Sequence, residues 1–584
     1  MDIFSVITLI AGLSFFLFGM KVMSGDLEKL AGGKLEQTLK KFTANPFLSL
    51  FLGIVITIAV QSSSAVTVML VGLVNSGIMQ FSQTVFVIFG TNIGTTLTAW
   101  ILSLSGIEGD SIALQLMKPE YFSPILAFIG IILSMFSKND RKKSLGTVFV
   151  GFAVLMYGMN FMSDAVSPLA DEPWFSEILV KFNNPLFGIL AGTVVTAVIQ
   201  SSAASVGILQ ALALTGAINY GMAIPIVMGQ NIGTCITAVL SAIGTNPKAK
   251  RVAVVHTAMN VIGTVVFTFI FWLVDKTAAP ALFTESASAW GIACVHTVFN
   301  LALTLLLAPF AKYLVCLTEK LVPDKAAHDT GAHVFSLDER LLQTPSVAVG
   351  ECDSYTAHMS ENAKEMLLTS FSVLTSYDQQ TAEWLNTQES VLDAFEDDIG
   401  SYLVKLAATA LSEADSACVT KMLYVIGNFE RLGDHALNLL ESSKEIKDKK
   451  LSFSKEAYQE LTVLTDALVE IILTVNKAYS QNDPVLAARV EPLEQVIDRL
   501  IEYTDKQHIA RLKKGDCTIE MGFILSDILA NFSRISDHCS NIAVAVIEAQ
   551  RGSLDTHSYL NGVKYGNEDF DALFSEYAKK YGVK

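Results

Sequence analysis

Long apolar stretches follow one another from Ile3 to Leu321, with few polar positions between them. A bilayer-crossing helix takes roughly 20 apolar residues. Segments near 3–22, 82–104, 122–137, 145–163, 221–244, 252–274 and 288–315 meet that length. Two runs, 47–76 and 186–218, are too long for one helix and too short for two full crossings, and each is broken near its middle by polar side chains. The breaks read Gln61-Ser62-Ser63-Ser64 and Gln200-Ser201-Ser202. A helical hairpin that enters, turns at the break and leaves on the same side satisfies this pattern. Non-helical backbone at such a tip is tolerated only where it lines a cavity or is buried in protein. Beyond 345 the pattern changes. Apolar residues recur at helical spacing with few prolines or glycines, predicting about six long amphipathic helices. The predicted fold is all-α: a polytopic membrane unit followed by a soluble helical bundle.

The polar breaks belong to a duplication. A single ungapped shift carries Gln61-Ser62-Ser63 onto Gln200-Ser201-Ser202, Asn45-Pro46 onto Asn184-Pro185, and Asn92-Ile93-Gly94-Thr95 onto Asn231-Ile232-Gly233-Thr234. Gly19 maps to Gly158, Met23 to Met162, and Thr98 to Thr237. Between 45 and 99 the two copies share 19 of 55 positions, mostly polar or small ones that a merely hydrophobic composition would not match in register. Duplicated polar motifs within apolar segments are the mark of a transporter built from internal repeats.

Loop charges set the predicted orientation. Lys21, Lys29, Lys34, Lys40 and Lys41 follow the first span; Lys138, Arg141, Lys142 and Lys143 follow the third; Lys248, Lys250 and Arg251 follow the fifth. The intervening loops carry Glu108, Asp110 and Glu120, then Asp164, Asp171, Glu172 and Glu177, then Asp275 and Glu285. Basic and acidic loops alternate as the positive-inside rule requires. The N-terminus is then outside a bacterial-type inner membrane and the C-terminal half cytoplasmic. Three crossings per repeat make the second copy inverted, so the two hairpins enter from opposite faces and their tips can meet near the midplane.

Net charge divides the chain the same way. Residues 1–320 hold 17 Lys/Arg and 15 Asp/Glu, or +2, and the remainder holds 24 and 42, or −18, so the negative total of −16 comes from the second part. The domains expected are 1–317 for the membrane unit (repeats about 5–137 and 144–274, extra helix 288–315), a linker at 318–345, a helical domain at 346–552 and a polar tail at 553–584. Pro323, Asp324 and Gly331 mark the linker. Seven cysteines form no CxxC pair, which argues against a zinc site or disulfide scaffold. The stretch Met1–Met20 lacks a basic start and a cleavage site and reads as a retained helix. No nucleophile–base pair or phosphate-binding Gly-rich loop suggests an enzyme, and nothing suggests nucleic acid. Membrane lipid is an expected partner; a homodimer and cytoplasmic regulatory partners are left open.

Each tip offers hydroxyls, a carboxamide and the backbone N–H groups of a helix start, which attract anions. Ser62, Ser63, Ser64, Ser201 and Ser202 can donate to a tetrahedral oxyanion, with Gln61 and Gln200 orienting them or binding it directly. Thr91, Asn92, Thr95, Thr96, Asn231, Thr234 and Thr237 are candidate ligands for a small hard cation, with Gly90, Gly94, Gly229 and Gly233 expected to let their helices unwind and free carbonyls. No Lys or Arg falls in these motifs, so a co-bound cation would supply the countercharge. The same residue types also serve plain helix packing. His256 and Asn260, echoed by His296 and Asn300, are intramembrane polar residues and functional candidates by default. They lie outside the duplicated core, where structural hydrogen bonding to each other or to a neighbouring helix is the plainer role.

These residues make the region 5–315 resemble the type II sodium/phosphate cotransporter family, whose signature is a duplicated Q-S-S with G-x-N-I-G-T downstream. The resemblance implies phosphate as substrate and Na⁺ as coupling ion, with the anion between the hairpin tips. Electrogenic members carry an acidic residue just beyond G-x-N-I-G-T; here Ser103–Asp110 and Ser241–Pro247 follow, and Glu108 or Asp110 match that spacing poorly. Carriage of phosphate outward, carriage of another oxyanion, and a membrane-anchored phosphate sensor are the alternatives.

The second half has its own duplication. Asn428-Phe429-Glu430-Arg431-Leu432-Gly433-Asp434-His435 matches Asn531-Phe532-Ser533-Arg534-Ile535-Ser536-Asp537-His538. Each copy is preceded by an acidic pair, Glu389/Asp393 and Glu494/Asp498. It resembles PhoU-like proteins, tandem three-helix bundles that act in phosphate regulation and whose acidic positions bind metal. Glu389, Asp393, Glu430, Asp434, Glu494, Asp498 and Asp537 are the candidate ligands for a divalent or transition metal. Salt bridges from Arg431 and Arg534 to them are the alternative.

Overall fold

The computed structural model describes residues 3–31, 45–77, 79–106, 115–116, 118–168, 181–182, 184–278, 280–323, 337–374, 376–551 and 568–583. Lys34, Lys40, Lys41, Glu108, Asp110, Asp171, Glu172, Glu177, Asp324, Gly331 and Ser553 lie outside them. The chain forms two compact units, Met1–Val347 and Ala348–Lys584. Both are helical.

The first unit contains α1 (Ile3–Ala31), α2 (Pro46–Val60), α3 (Ser63–Asn75), α4 (Phe81–Ser103), α5 (Pro119–Phe136), α6 (Asp140–Val166), α7 (Pro185–Ile199), α8 (Ser202–Leu214), α9 (Tyr220–Ser241), α10 (Pro247–Thr277), α11 (Ala289–Leu307) and α12 (Ala311–Leu321). Seven stretches among the described residues are long and apolar enough to cross a membrane, and they coincide with the seven expected from sequence. The two interrupted runs are the pairs α2–α3 and α7–α8. Asn45 and Asn184 cap the first helix of each pair, accepting from Phe47 N and Leu186 N at 3.0 Å, with proline at the first helical position. Gln61 and Gln200 end these helices in the left-handed region, φ 54° and 57°. Ser62 and Ser201 then restart the chain as N-caps, accepting from Ala65 N at 3.1 Å and Ala204 N at 3.2 Å.

Glycine contacts fix the helix directions. A Cβ on Gly90 would stand 2.1 Å from Leu50 O, and one on Gly94 would stand 2.8 Å from Ile54 O. Indices rise together on α2 and α4, so these helices are parallel neighbours, and α3 must carry the chain back between them. That makes α2–α3 a helical hairpin with its tip at Gln61–Ser62. Gly229 against Ile189 O (2.0 Å) and Gly233 against Thr193 O (2.5 Å) repeat the arrangement for α7–α8 and α9. These glycines allow close helix approach. The unwinding expected of them does not occur: α4 and α9 are continuous helices through both motifs.

Between α1 and α6 the order reverses. Gly12 meets Gly158 O, and Gly19 meets Gly151 O; the ungapped shift between the repeats maps Gly12 to Gly151 and Gly19 to Gly158. Such reciprocal pairing is the mark of a two-fold relation. Because the helices run antiparallel, the axis is perpendicular to them, and the two copies are inverted.

At one end of α10, Asn246 bonds Asn75 at the base of the first hairpin (N to Oδ1, 2.9 Å). At the other end, the segment after α10 bonds the base of the second hairpin through Ala287 N to Ile218 O (2.7 Å) and Tyr220 N to Glu285 O (3.2 Å). Part of the expected linker belongs to this unit. Asp338 accepts from Asn75 Nδ2 (2.8 Å), Arg340 donates to Ser241 O (2.7 Å) and Ile243 O (3.0 Å), and Leu341 is fully buried against Gly72. Residues 338–344 thus clasp the ends of α3 and α9.

The second unit contains α13 (Pro345–Val373), α14 (Gln379–Ala407), α15 (Glu413–Asp448), α16 (Lys455–Gln481), the short α17 (Pro484–Ala487), α18 (Val490–Lys514), α19 (Ile519–Arg551) and α20 (Glu568–Tyr581). The six long helices of 346–552 are those the periodicity predicts. Within the tail expected to be polar, Glu568–Tyr581 forms α20, held by Lys580 to Glu470 at 2.8 Å and by Arg499 over the Phe574 ring at 4.5 Å.

Candidate functional site

The two hairpin tips reach one small cavity of about 10 Å³, lined by Ser63, Asn92, Thr95, Ser202, Asn231, Thr234, His296 and Asn300. That volume holds about one water-sized sphere. Six of the eight are three matched pairs from the two repeats. Ser63 and Ser202 are the first helical residues of α3 and α8 and are buried. The N-caps take one donor in each first turn, and the remaining N–H groups with the positive helix ends form an anion-attracting pole.

The residues of the serine phrase therefore occupy distinct positions. Ser62 and Ser201, expected to bind substrate, cap helices; Ser64 is not among the lining residues. Gln61 is buried and spent on the scaffold, donating to Ile58 O (2.7 Å) and accepting from Thr98 Oγ1 (3.0 Å). Gln200 is exposed and does not line the cavity. The left-handed φ of each glutamine turns the chain so that the second serine, not the first, faces inward. Nothing in the phrase itself distinguishes the two.

Of the cation candidates, the structure brings Asn92, Thr95, Asn231 and Thr234 to the cavity and leaves Thr91, Thr96 and Thr237 off its wall. Thr95 and Thr234 direct their hydroxyl hydrogens to Thr91 O and Gln230 O, both at 2.9 Å. Their lone pairs remain available to a cation.

The His-Asn echo supplies partners for the duplicated asparagines. Asn92 Nδ2 donates to Asn260 Oδ1 at 2.9 Å, and Asn231 Nδ2 donates to Asn300 Oδ1 at 2.8 Å. Asn260 and Asn300 donate in turn to the carbonyls of His256 and His296, at 3.0 and 2.8 Å. The expected hydrogen bonding thus falls to the asparagines. Among the described residues, neither ring nitrogen of His256 nor Nδ1 of His296 has a hydrogen-bond partner. The regular spacing of the echo was the signal; its pairing with Asn92 and Asn231 was not legible.

In the second unit the duplicated motifs face each other. His435 Nδ1 lies 2.8 Å from Asn531 Oδ1, His538 Nδ1 lies 3.0 Å from Asn428 Oδ1, and the two rings stack at 5.5 Å. The metal site expected here is not assembled: among the described residues no three of His, Cys, Asp and Glu come together closely enough to hold an ion. Carboxylates do crowd between α14 and α15. Burial, followed by Asp434, Glu396 and Asp393, pushes Glu430 up to about 7, and burial with Asp393 and Asp434 raises Glu389. The second copy carries Ser533 at the Glu430 position and cannot reproduce that crowd. Glu494 is buried and Asp498 exposed. The alternative of interhelical salt bridges is not seen for Arg534, whose Nη1 lies 3.6 Å from Asp537 on its own helix.

Residues 15–164 and 154–287 match the family described as Na+/Pi-cotransporter, and 356–443 and 462–546 match the PhoU domain. The uncharacterized protein YqeW of Bacillus subtilis is 33% identical over 325 residues, covering 55% of this chain and 99% of that protein. The putative inorganic phosphate export protein YjbB of Escherichia coli K12 is 22% identical over 551 residues, covering 93% of this chain and 98% of that one. Sodium-dependent phosphate transport protein 2A of mouse is 38% identical over 99 residues, covering 16% of this chain and 15% of that one. Matched helices, matched motifs and matched relatives agree: the chain belongs to the Na+/Pi-cotransporter family and carries PhoU domains in its C-terminal half.

Proposed function

We propose that this multi-pass membrane protein carries inorganic phosphate by alternating access, coupled to Na⁺, with the anion held between Ser63 and Ser202. The observation that carries the reading is the convergence of both hairpin tips on one cavity with both copies of the asparagine and threonine. Donor hydroxyls and helix starts suit phosphate oxygens, while Asn92, Thr95, Asn231 and Thr234 would offer oxygen atoms to Na⁺. The absence of Lys and Arg from the lining residues favours a co-bound cation. A cavity for one water-sized sphere is too small for phosphate, so the tips must part to admit it. Transport of this kind needs no enzymatic step. The C-terminal PhoU domains regulate flux from the cytoplasmic side of a bacterial-type inner membrane.

Radiolabelled phosphate flux into proteoliposomes, with and without an imposed Na⁺ gradient, tests the reading. Flux that follows the Na⁺ gradient in either direction is expected. Flux indifferent to Na⁺ removes the coupling, and saturable phosphate binding without flux makes the protein a sensor. Net export is the second reading, favoured by the name of the YjbB relative; flux that runs only outward from oriented vesicles would establish it.

A further inference from the structure

Of the eight residues lining the cavity, six are matched pairs from the two repeats, and the other two, His296 and Asn300, belong to the His-Asn echo outside the duplicated core. Their equivalents His256 and Asn260 do not line it. Among the described residues His296 is thus the one ionisable side chain on the wall. It is 2% exposed, and its Nδ1 is buried without a hydrogen-bond partner. A buried polar atom left unsatisfied in a native fold calls for an explanation such as a bound ligand. Asn300 does not satisfy it, because its amide is committed to Asn231 and to the His296 carbonyl.

The other lining groups are hydroxyls and amides. The hydroxyl hydrogens of Ser63 and Ser202 can go to phosphate oxygens, and the amide and threonine hydroxyl oxygens suit a cation. A protonated phosphate also carries a P–OH hydrogen, which needs an acceptor. A neutral imidazole nitrogen is the most basic acceptor on this wall. Sulfate, of the same shape and charge as HPO₄²⁻, has no such hydrogen at neutral pH. A site that pairs every polar group with one anion leaves an acceptor unpaired with the other, which is the strongest form of discrimination available to it.

We propose that a ring nitrogen of His296 accepts the P–OH hydrogen of bound phosphate and makes the site select phosphate over sulfate. The assignment rests on the phosphate-transport reading above. It is tested with the full chain in proteoliposomes by measuring the phosphate KM and the inhibition of phosphate uptake by sulfate. His296→Phe is expected to raise KM about tenfold or more and to turn sulfate into a competitor, with maximal flux per folded protein changed much less. His296→Gln, which keeps an acceptor oxygen, should recover part of both properties; His296→Leu serves where the phenylalanine ring is not tolerated. His256→Gln should leave both at wild-type values. Unchanged KM and sulfate exclusion in the His296 variants would overturn the assignment while leaving phosphate transport standing. Equal losses in the His256 variant would overturn it as a packing effect. A wild-type protein that moves no phosphate would instead remove the reading beneath it.

Discussion

Adjacent serines in each copy sit differently, and what each contributes is testable residue by residue. Ser62 and Ser201 cap helices, and losing a cap costs roughly 1 kcal/mol of stability. Ser63 and Ser202 face the cavity, and a hydrogen bond to a charged ligand is worth about 1.5–3 kcal/mol, or about ten- to a hundredfold in affinity. Ser63→Ala and Ser202→Ala should therefore raise the phosphate KM at least tenfold, whereas Ser62→Ala and Ser201→Ala should mainly lower thermal stability in detergent. Equal KM effects across all four would remove the distinction. The asparagines give a second test. Asn260→Ala leaves Asn92 Nδ2 without its buried acceptor, costing about 1–3 kcal/mol, and Asn92→Ala on top should add little. Asn260→Ala with Asn300→Ala should come closer to additive, because those two residues belong to different pairs and only Asn300 lines the cavity. The sequence made both asparagine sets visible as repeats, but which partners which is decided by how α10 and α11 pack.

At the scale of elements, the glycines show where sequence reading stops. Gly90 and Gly229 read equally well as hinges or as contact points until a neighbouring backbone is placed beside them. A Cβ on Gly229 would fall 2.0 Å from Ile189 O, a backbone atom that cannot step aside, whereas Gly25 on α1 has nothing within 4 Å. Gly229→Ala should sharply reduce the yield of folded protein in size-exclusion chromatography, and Gly25→Ala should not. The break of each long apolar run into two helices was legible, because a polar centre in such a run admits few other solutions. The metal site was not, because spacing on one helix cannot tell how closely two helices bring their carboxylates. In the second unit, α15 and α19 meet through His435 and His538. Burial, then His435, Arg431 and Arg534, holds the His538 imidazole down at about 4. A histidine whose folded pKa lies below its ordinary 6.5 resists protonation, so its contribution to stability is full above about 6.5 and is lost as pH falls toward 4. His538→Asn keeps a donor for Asn428 and should flatten stability over that window. Denaturation followed by Trp384, with the other tryptophans replaced by phenylalanine, reads the unit directly; an unchanged pH profile would exclude His538 as the titrating group.

For the membrane unit as a whole, helix directions constrain topology more tightly than loop charge does. α1 and α6 are antiparallel, so an odd number of crossings must separate their starts. α1, α4 and α5 supply three; a fourth from α2–α3 would make α6 parallel to α1, contrary to the glycine contacts. With those three as crossings, the topology proposed here has the hairpin return to the side it came from. Its base adjoins Asn246 at the start of α10, while the base of the second hairpin adjoins Glu285 and Ala287 beyond the far end of that helix. Thirty-one residues of α-helix span about 46 Å, more than a bilayer core. The two hairpins thus reach the cavity from opposite ends of a helix long enough to span, an arrangement that suits the alternating access proposed above. Charge agrees with this end by end: Lys248, Lys250 and Arg251 sit at the first base, Asp275 and Glu285 near the second. In a cysteine-free background, single cysteines at Asn139 and Lys248 should react with an impermeant maleimide from one face of oriented vesicles, and those at Glu120 and Glu285 only from the other. All four positions are exposed, so failure to react cannot be put down to burial. Glu120 and Asn139 mark the two ends of α5, and Lys248 and Glu285 those of α10; reaction of either couple from the same face would break the parity on which the inverted hairpins depend.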